Sequence, residues 1–210
     1  MKQAYFITGT DTGIGKTHVA CQLLQQYAAQ GLKVVGMKPV AAGCDFIEGE
    51  WVNEDVQKLM AASNVAAPRE LVNPYCFNEP IAPHIAAERA GVEIQITVIK
   101  NAYNALLEIA DVVIVEGAGG FLVPLNDRET LADLVLALNI PVIVVAGIKL
   151  GCINHTLLTI EAIKTGKIAL HGWVANQIEP HMPVLSENIA TIEKKLQLNC
   201  MFHNVFDSKV

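Results

Sequence analysis

Three charged side chains follow short apolar runs of this sequence: Lys16 at the end of the loop GTDTGIGKT, Lys38 in KPV and Glu116 in EGAGG. Gly15 precedes Lys16 and Thr17 follows it, which is typical of a loop that opens a helix. Such a loop offers backbone N–H groups, a helix N-terminus and an ammonium group to a polyphosphate. The hydroxyl next to the lysine can also bind Mg²⁺. The residue types therefore predict phosphate binding at this loop.

The alternative for this stretch is a glycine-rich turn that binds nothing, since such turns are common. An apolar run before the loop and a helical pattern after it favour phosphate binding. Gly9 stands one residue earlier than the usual G-x-x-x-x-G-K-T spacing requires, because that spacing places glycine at Thr10. The first half of the loop has no second lysine, which argues against a partition-type switch ATPase.

A carboxylate and a second lysine are expected near this loop. Glu116 follows the apolar run 112–115 and Lys38 follows a similar run, so both should lie at the carboxyl edge of a parallel sheet. Glu116 could bind Mg²⁺ there, or it could be a turn acid in water, and Lys38 could face the phosphates or be solvated. Asp55 follows Asn53, a typical N-cap, in the first turn of a predicted helix, where an acid favours the helix dipole. Spacing alone gives Asp55 no metal role.

The elements that must position these residues follow a regular alternation. Short β-branched or aromatic runs predict buried strands at 5–8, 33–37, 112–115, 142–146 and 173–175. Helical patterns lie between them at 17–30, 54–62, 96–109, 129–138 and 153–165. This alternation predicts an α/β fold, with a parallel sheet covered by helices on both faces as in P-loop NTPases, and residues 1–210 forming a single domain. The stretches 43–53 and 66–83 are expected to be irregular surface loops that could wall a site.

Composition limits the function classes. The 210 residues are 52% hydrophobic and 17% charged, which indicates a globular chain with a sizeable core. The formal net charge of -6 provides no basic surface for nucleic acid. The oily stretch 131–148 contains Asp133 and Pro141 and is not expected to span a membrane. The five cysteines form no C-x-x-C pair and the N-terminal apolar run is too short for a secretory signal, so reduced thiols in a cytoplasmic protein are expected.

Further motifs occur in a fixed order between residues 5 and 176: GTDTGIGKT, KPVAAG, NED, NPYCF, PIAPHIAAE, VEGAGG, AGIKLGCINH and GWVAN. Together they resemble the dethiobiotin synthetase family, for which VEGAGG and AGIKLGCINH are the specific stretches. The resemblance implies an ATP- and Mg²⁺-dependent cyclo-ligase acting on 7,8-diaminopelargonate and CO₂ or bicarbonate. In this reaction a carbamate is converted into a carbamic–phosphoric anhydride, ring closure gives the cyclic urea dethiobiotin, and ADP and phosphate leave.

The resemblance also implies roles for individual residues. The ATP-binding residues would be Gly13, Ile14, Gly15, Lys16, Thr17, His18 and Asn176, the last on adenine. The Mg²⁺ ligands would be Thr17, Asp55 and Glu116. Lys16 would act on the β- and γ-phosphates, and Lys38 would act on the carbamate and the γ-phosphoryl group. The substrate-binding residues would be Thr12, Lys38, Ala42, Gly119, Gly151, Cys152 and Asn154.

The resemblance implies a homodimer as well. In the family, the helix that begins near Gly151 serves the active site of the partner subunit, where its free N–H groups would bind the substrate carboxylate. No nucleic acid and no membrane are expected as partners.

Three features depart from the family pattern. Ala42 stands where serine is common in KPVxSG, and Gly13 stands where many members have an acid. A G-x-I-P segment that helps to wall the adenine pocket in the family is not recognisable in residues 198–210. One hydroxyl contact, the contacts of the acid and the recognition of the base are therefore expected to differ here.

Other classes share parts of this pattern. A partition- or switch-type ATPase would bind a protein partner in a nucleotide-dependent way and hydrolyse ATP without a small molecule. The synthetase domain of a cobyrinate-type amidotransferase normally carries a glutaminase domain, for which 210 residues leave no room. A non-catalytic nucleotide-binding subunit need not keep the phosphoryl-transfer residues, yet all of them are present here: Lys16, Thr17, Lys38, Asp55 and Glu116.

Overall fold

The computed structural model describes residues 2–206 of the chain. The strands are β1 (Gln3–Gly9), β2 (Val34–Met37), β3 (Val40–Ala42), β4 (Asp45–Ile47), β5 (Glu50–Val52), β6 (Tyr75–Phe77), β7 (Val112–Gly120), β8 (Val142–Ile148), β9 (Leu170–Gln177) and β10 (His203–Asn204). The helices are α1 (Lys16–Ala29), α2 (Glu54–Ala62), α3 (Arg69–Val72), α4 (Pro83–Arg89), α5 (Ile96–Ile109), α6 (Leu131–Leu138), α7 (Cys152–Thr165) and α8 (Leu185–Leu196). None of these described helices is long and apolar enough to cross a bilayer.

The main sheet has six parallel strands in the order β10-β9-β8-β1-β7-β2. β1 lies inside it, with Phe6 opposite Val115 on one side and Val142 on the other. Since parallel strands end at the same edge, the segments after β1, β2, β7 and β8 meet there. The predicted parallel sheet is confirmed.

Helices cover both faces of this sheet, as the unbroken apolar runs predict. Successive residues of a strand face opposite ways, and in β7 Val113 and Val115 belong to one apolar cluster while Val112 and Ile114 belong to the other. One cluster includes residues of α1, and the other includes residues of α5, α6 and α7. Burying each such valine or isoleucine contributes roughly 1.5–3 kcal/mol, so burial on both faces stabilises the strands that carry the site.

A side-chain cap fixes the start of α2. The Asn53 side chain accepts hydrogen bonds from the backbone N–H groups of Asp55, at 3.1 Å, and Val56, at 3.3 Å. These two groups would otherwise lack partners in the first helical turn. The cap therefore places Asp55 in the first turn of the helix, close to the carboxyl edge of the main sheet.

The two stretches predicted as irregular contain regular structure, so that prediction was wrong in part. Residues 43–53 include the antiparallel hairpin of β4 and β5, and residues 66–83 include α3 and β6. β6 pairs with β3 in a separate parallel sheet, with Val40 opposite Tyr75. Three-residue strands are too short to show a period in sequence. β7 also extends beyond the predicted range, so Glu116 lies within the strand and not at its end.

Candidate functional site

The phosphate loop connects β1 to α1 and depends on a glycine at its last position. Gly15 has φ of 83° and caps α1, and an added Cβ would lie 2.2 Å from Asn176 Nδ2. Any other residue would therefore meet both a strained backbone and a steric clash. Asn176 lies in β9 and donates from Nδ2 to the carbonyl oxygen of Ile14 at 2.8 Å. This contact joins the predicted adenine-binding residue directly to the phosphate loop.

Lys16 is held inside this loop. Its side chain is buried, and Nζ donates to the carbonyl oxygen of Asp11 at 2.8 Å. Burial lowers the pKa of Lys16 to about 8, against the opposing effect of the Glu116 carboxylate. An anionic ligand would favour the charged form of Lys16 again. A phosphate bound in the loop would therefore be stabilised by the Lys16 ammonium group.

Lys38 lies between two carboxylates. Its Nζ donates to Asp55 Oδ2 at 2.5 Å and to Glu116 Oε1 at 2.7 Å. Burial acts to lower the pKa of Lys38, but the Glu116 and Asp55 carboxylates raise it above its ordinary value. The two carboxylates thus favour the charged form of Lys38 inside the protein.

The oxygen atoms around Lys38 fit a hard divalent cation. Thr17 Oγ1 donates to Glu116 Oε1 at 2.9 Å, and Glu116 Oε2 is buried without a hydrogen-bond partner among the described residues. No group of three or more His, Cys, Asp or Glu side chains within residues 2–206 is arranged to hold a metal. Two carboxylates and a hydroxyl suit Mg²⁺, which usually takes its remaining ligands from water and phosphate. Thr17, Asp55 and Glu116 are thus the residues that could hold it.

These groups open into one cavity of about 690 Å³. Of the predicted site residues, the cavity is lined by Thr12, Gly13, Ile14, Gly15, Lys16, Thr17, His18, Lys38, Ala42, Asp55, Glu116 and Gly119. Thr12 and Gly119 lie against each other, since a Cβ added to Gly119 would be 3.4 Å from Thr12 Oγ1. The volume is in the range of small-molecule sites.

One wall of this cavity comes from a loop that was expected to wall a site, although the residues that line it were not named from the sequence. Residues 80–83 line it, together with Val40 and Val123. The signal available was the motif PIAPHIAAE and the expectation that the loop 66–83 could wall a site. Neither indicated which residues of the loop face inward.

A second cavity, of about 140 Å³, lies beside Asn176. It shares Gly13, Gly15 and His18 with the first and is completed by Gln177, Ile178, Val205 and Phe206. The backbone N–H of Phe206 donates to Gln177 Oε1 at 3.4 Å, and β10 pairs with β9. The C-terminal segment, whose family motif is unrecognisable, thus supplies a wall of this cavity, although its residues 207–210 lie outside the described range.

Gly151, Cys152 and Asn154 line neither of these cavities. They lie at the N-terminus of α7, where Gly151 adopts φ of 94° and starts the helix. Gly151 and Asn154 are exposed, and the neighbouring Leu150 is 93% exposed. They therefore do not face the cavity of the phosphate loop, although Lys149, two residues before Gly151, pairs with Asp11 of that loop at 3.1 Å.

A disulfide between Cys44 and Cys76 corrects the expectation that all five cysteines are reduced. The bond joins the segment after β3 to β6, and the spacing of 32 residues gave no signal for it. Disulfides are rare in the cytoplasm. Cys21, Cys152 and Cys200 are free.

Removal of this bond should lower thermal stability. In the chain-entropy model a loop of this size contributes about 3–4 kcal/mol, so the Cys76→Ser variant should melt roughly 5–15 °C below the purified wild type. Cys21→Ser, which removes a free thiol, serves as the matched control and should melt within about 2 °C of wild type. Alkylation with and without reductant, followed by mass spectrometry, counts the bonded thiols. Equal melting temperatures for both variants would argue against the bond in solution.

Comparison with known proteins extends the description of the site. A family model described as AAA domain (AAA_26) matches residues 3–202. The chain is 57% identical to the ATP-dependent dethiobiotin synthetase BioD of Nitrosospira multiformis over 196 residues, 93% of this chain and 85% of that protein. It is 51% identical to the protein of the same name from Aromatoleum aromaticum over 194 residues, 92% of this chain and 86% of that protein.

Solved structures resemble this one at the level of the fold. The MinD cell division protein of Aquifex aeolicus matches with a TM-score of 0.61 and 13% identity, over 99% of this chain and 84% of that chain. A ParA family ATPase from Chlorobium tepidum matches with a TM-score of 0.58 and 14% identity, over 100% and 87%. At such identities the likeness shows the fold alone, and it confirms the predicted P-loop NTPase-like class.

Proposed function

The chain belongs to the dethiobiotin synthetase family, and from this membership we propose that it closes the ureido ring of dethiobiotin with ATP and Mg²⁺. Its substrates are 7,8-diaminopelargonate and CO₂ or bicarbonate. The observation that carries the proposal is the single cavity in which the phosphate loop, Lys38 and two carboxylates meet. ADP, phosphate and the cyclic urea are the products.

The chemistry explains why the site needs charge and not a nucleophile. One amine of the substrate captures CO₂ as a carbamate and releases a proton. A carbamate is a poor electrophile because its carbon bears an anionic oxygen and a donating nitrogen. Transfer of the γ-phosphoryl group to that oxygen releases ADP and provides a leaving group. The second amine then attacks the carbon, phosphate leaves, and loss of a proton completes the five-membered ring.

The protein positions these groups and offsets their charge. The phosphate loop binds the ATP phosphates with its backbone N–H groups, and the Lys16 ammonium group binds oxygen atoms of the β- and γ-phosphates. Lys38 lines the same cavity and holds the carbamate beside the γ-phosphoryl group. Thr17, Asp55 and Glu116 would hold Mg²⁺, which when bound neutralises the phosphate oxygens. The buried positions of both lysines support these roles, because charge acts more strongly where water is excluded.

In this proposal the diamine end of the substrate lies along the walls of the cavity. Thr12 and Gly119 face each other beside the loop, and Ala42 presents a methyl group where a serine would add a hydroxyl. The loss of that contact weakens binding by on the order of 1 kcal/mol. We therefore expect this enzyme to hold the carbamate mainly through Lys38 and the backbone.

We further propose that the enzyme works as a homodimer with shared sites, and that it does so in the cytoplasm, where the Cys44–Cys76 bond would be an unusual feature. The exposure of Leu150, Gly151 and Asn154 supports the shared sites, because the start of α7 is free to reach a partner subunit. The N–H groups of its first turn, apart from that of Cys152, which donates to the Lys149 carbonyl oxygen at 2.9 Å, suit the carboxylate at the far end of the substrate. Each active site would then combine one phosphate loop with the start of the partner's α7.

An omission experiment tests the reaction. The purified protein is mixed with Mg-ATP, bicarbonate and 7,8-diaminopelargonate, each is left out in turn, and ADP and dethiobiotin are measured together. We expect equal amounts of both products in the complete mixture alone. ADP release that does not depend on the diamine would favour a switch-type ATPase instead. Repeating the complete mixture with CTP or GTP in place of ATP measures which base the enzyme prefers. The cavity beside Asn176, which Phe206 helps to line, is the part of the site that this comparison tests.

A further inference from the structure

The backbone of Lys38 is fixed at both of its polar groups by one neighbouring segment. Lys38 lies between β2 and β3, where the chain leaves the main sheet for the small one. Its backbone N–H donates to the carbonyl oxygen of Val72 at 2.8 Å. Its carbonyl oxygen accepts from Asn73 Nδ2 at 2.6 Å. The position from which the Lys38 side chain extends is therefore set by residues 72–73.

The Asn73 side chain is committed to this contact. It is 7% exposed, and Nδ2 also donates to the carbonyl oxygen of Tyr75 at 3.0 Å. The reverse orientation would set Oδ1 against two carbonyl oxygens, so the hydrogen bonds fix the amide. Aspartate at this place would offer acceptors, and alanine would leave the Lys38 carbonyl without its partner. Asparagine meets the need because it carries two N–H donors on a short side chain.

We propose that Asn73 is a positioning residue for Lys38 in phosphoryl transfer. The proposal rests on the proposed function, since it takes the role of Lys38 from there. Lys38 Nζ lies within hydrogen-bond distance of both Asp55 and Glu116, so a small shift of its backbone moves the ammonium away from the reacting atoms. Misplacement of a catalytic group by about 1 Å can cost on the order of 100-fold in rate. Asn73 acts through this placement and does not itself touch the substrate.

The matched control is Asn64, which holds the other end of β2. Its side chain accepts from the Val34 N–H at 2.7 Å and donates to the Leu32 carbonyl at 2.8 Å. We expect Asn73→Ala to lower kcat about 100-fold and to leave the KM for ATP within about threefold of wild type. Asn64→Ala should keep kcat within about threefold. A kcat near wild type for Asn73→Ala, or an equal loss in Asn64→Ala, would overturn the proposal.

A double-mutant cycle separates positioning from a general structural effect. In a Lys38→Gln background, Asn73→Ala should remove less than about threefold further activity, because the group that it positions is already absent. A further loss of about 100-fold would show that Asn73 acts independently of Lys38. If Asn73→Ala does not fold, Asn73→Leu, which keeps the size of the side chain and removes its donors without adding a charge, is judged by the same kcat and KM limits. Failure of the wild type to make dethiobiotin would overturn the proposed function, whereas an active Asn73→Ala beside an active wild type would overturn this inference alone.

Discussion

Replacement of Lys38 by alanine is expected to lower kcat for dethiobiotin formation by about 10³-fold. The ammonium of Lys38 is buried, so water cannot readily supply the lost charge. In the proposed reaction Lys38 offsets the negative charge that moves between the carbamate and the phosphoryl group. Removal of a buried donor of this kind acts mainly on the transition state, so kcat should fall far more than the affinity for ATP. Steady-state kinetics with both products measured gives the two parameters.

The same substitution should also lower stability, which must be separated from the catalytic effect. Lys38→Ala leaves the buried Glu116 without its ion-pair partner, and stranded buried charges are destabilising. Lys58 provides the control, since it lines the same cavity while its ammonium pairs with Glu54 within α2. Lys58→Ala should keep kcat within about threefold. Turnover near the wild-type value in a folded Lys38→Ala variant would contradict the assignment of Lys38.

The main sheet could be predicted because its signal is carried by each strand separately. The run 112–115 is buried on both faces, and its apolar residues need no distant partner to be recognised. The smaller sheet could not be predicted, since β3 and β6 owe their pairing to contacts between residues far apart in sequence, such as Val40 and Tyr75. Each of these two strands has only three residues, which are too few to show an alternation of apolar and polar residues in the sequence. The same limit explains the missed bond between Cys44 and Cys76, which depends on this pairing.

The candidate site likewise contains residues that could be predicted from the sequence and residues that could not. The stretch that ends in Lys16 and Thr17 is local, so its placement at the start of a helix could be predicted from the residues. Asp55 could not be recognised as a partner of Lys38 from spacing, because the strand order and the cap of α2 bring them together. Asn73 begins the NPYCF motif, but nothing in that motif indicated a contact with Lys38, since an asparagine before a proline is typical of a turn. Its contact with the Lys38 carbonyl exists only in the folded chain.

Mixing two inactive variants is expected to restore activity if the sites are shared between subunits. Lys16→Ala damages the phosphate loop, and Asn154→Ala damages the start of α7. In a mixed dimer one site pairs the intact loop of one subunit with the intact α7 of the other, while the second site carries both defects. Random exchange at equal amounts makes about half of the dimers mixed, so activity should reach about one quarter of wild type. Dethiobiotin formation before and after verified subunit exchange measures the gain.

The reverse mixture gives an independent check on the same geometry. Wild type is exchanged with an equal amount of the double variant Lys16→Ala, Asn154→Ala. With shared sites, each mixed dimer has one defect in both sites, and activity falls to about one quarter of that of the same total of wild type. With sites confined to single chains, every wild-type subunit keeps its activity and about one half remains. The exposed start of α7, which faces neither described cavity of its own chain, leads us to expect the lower value.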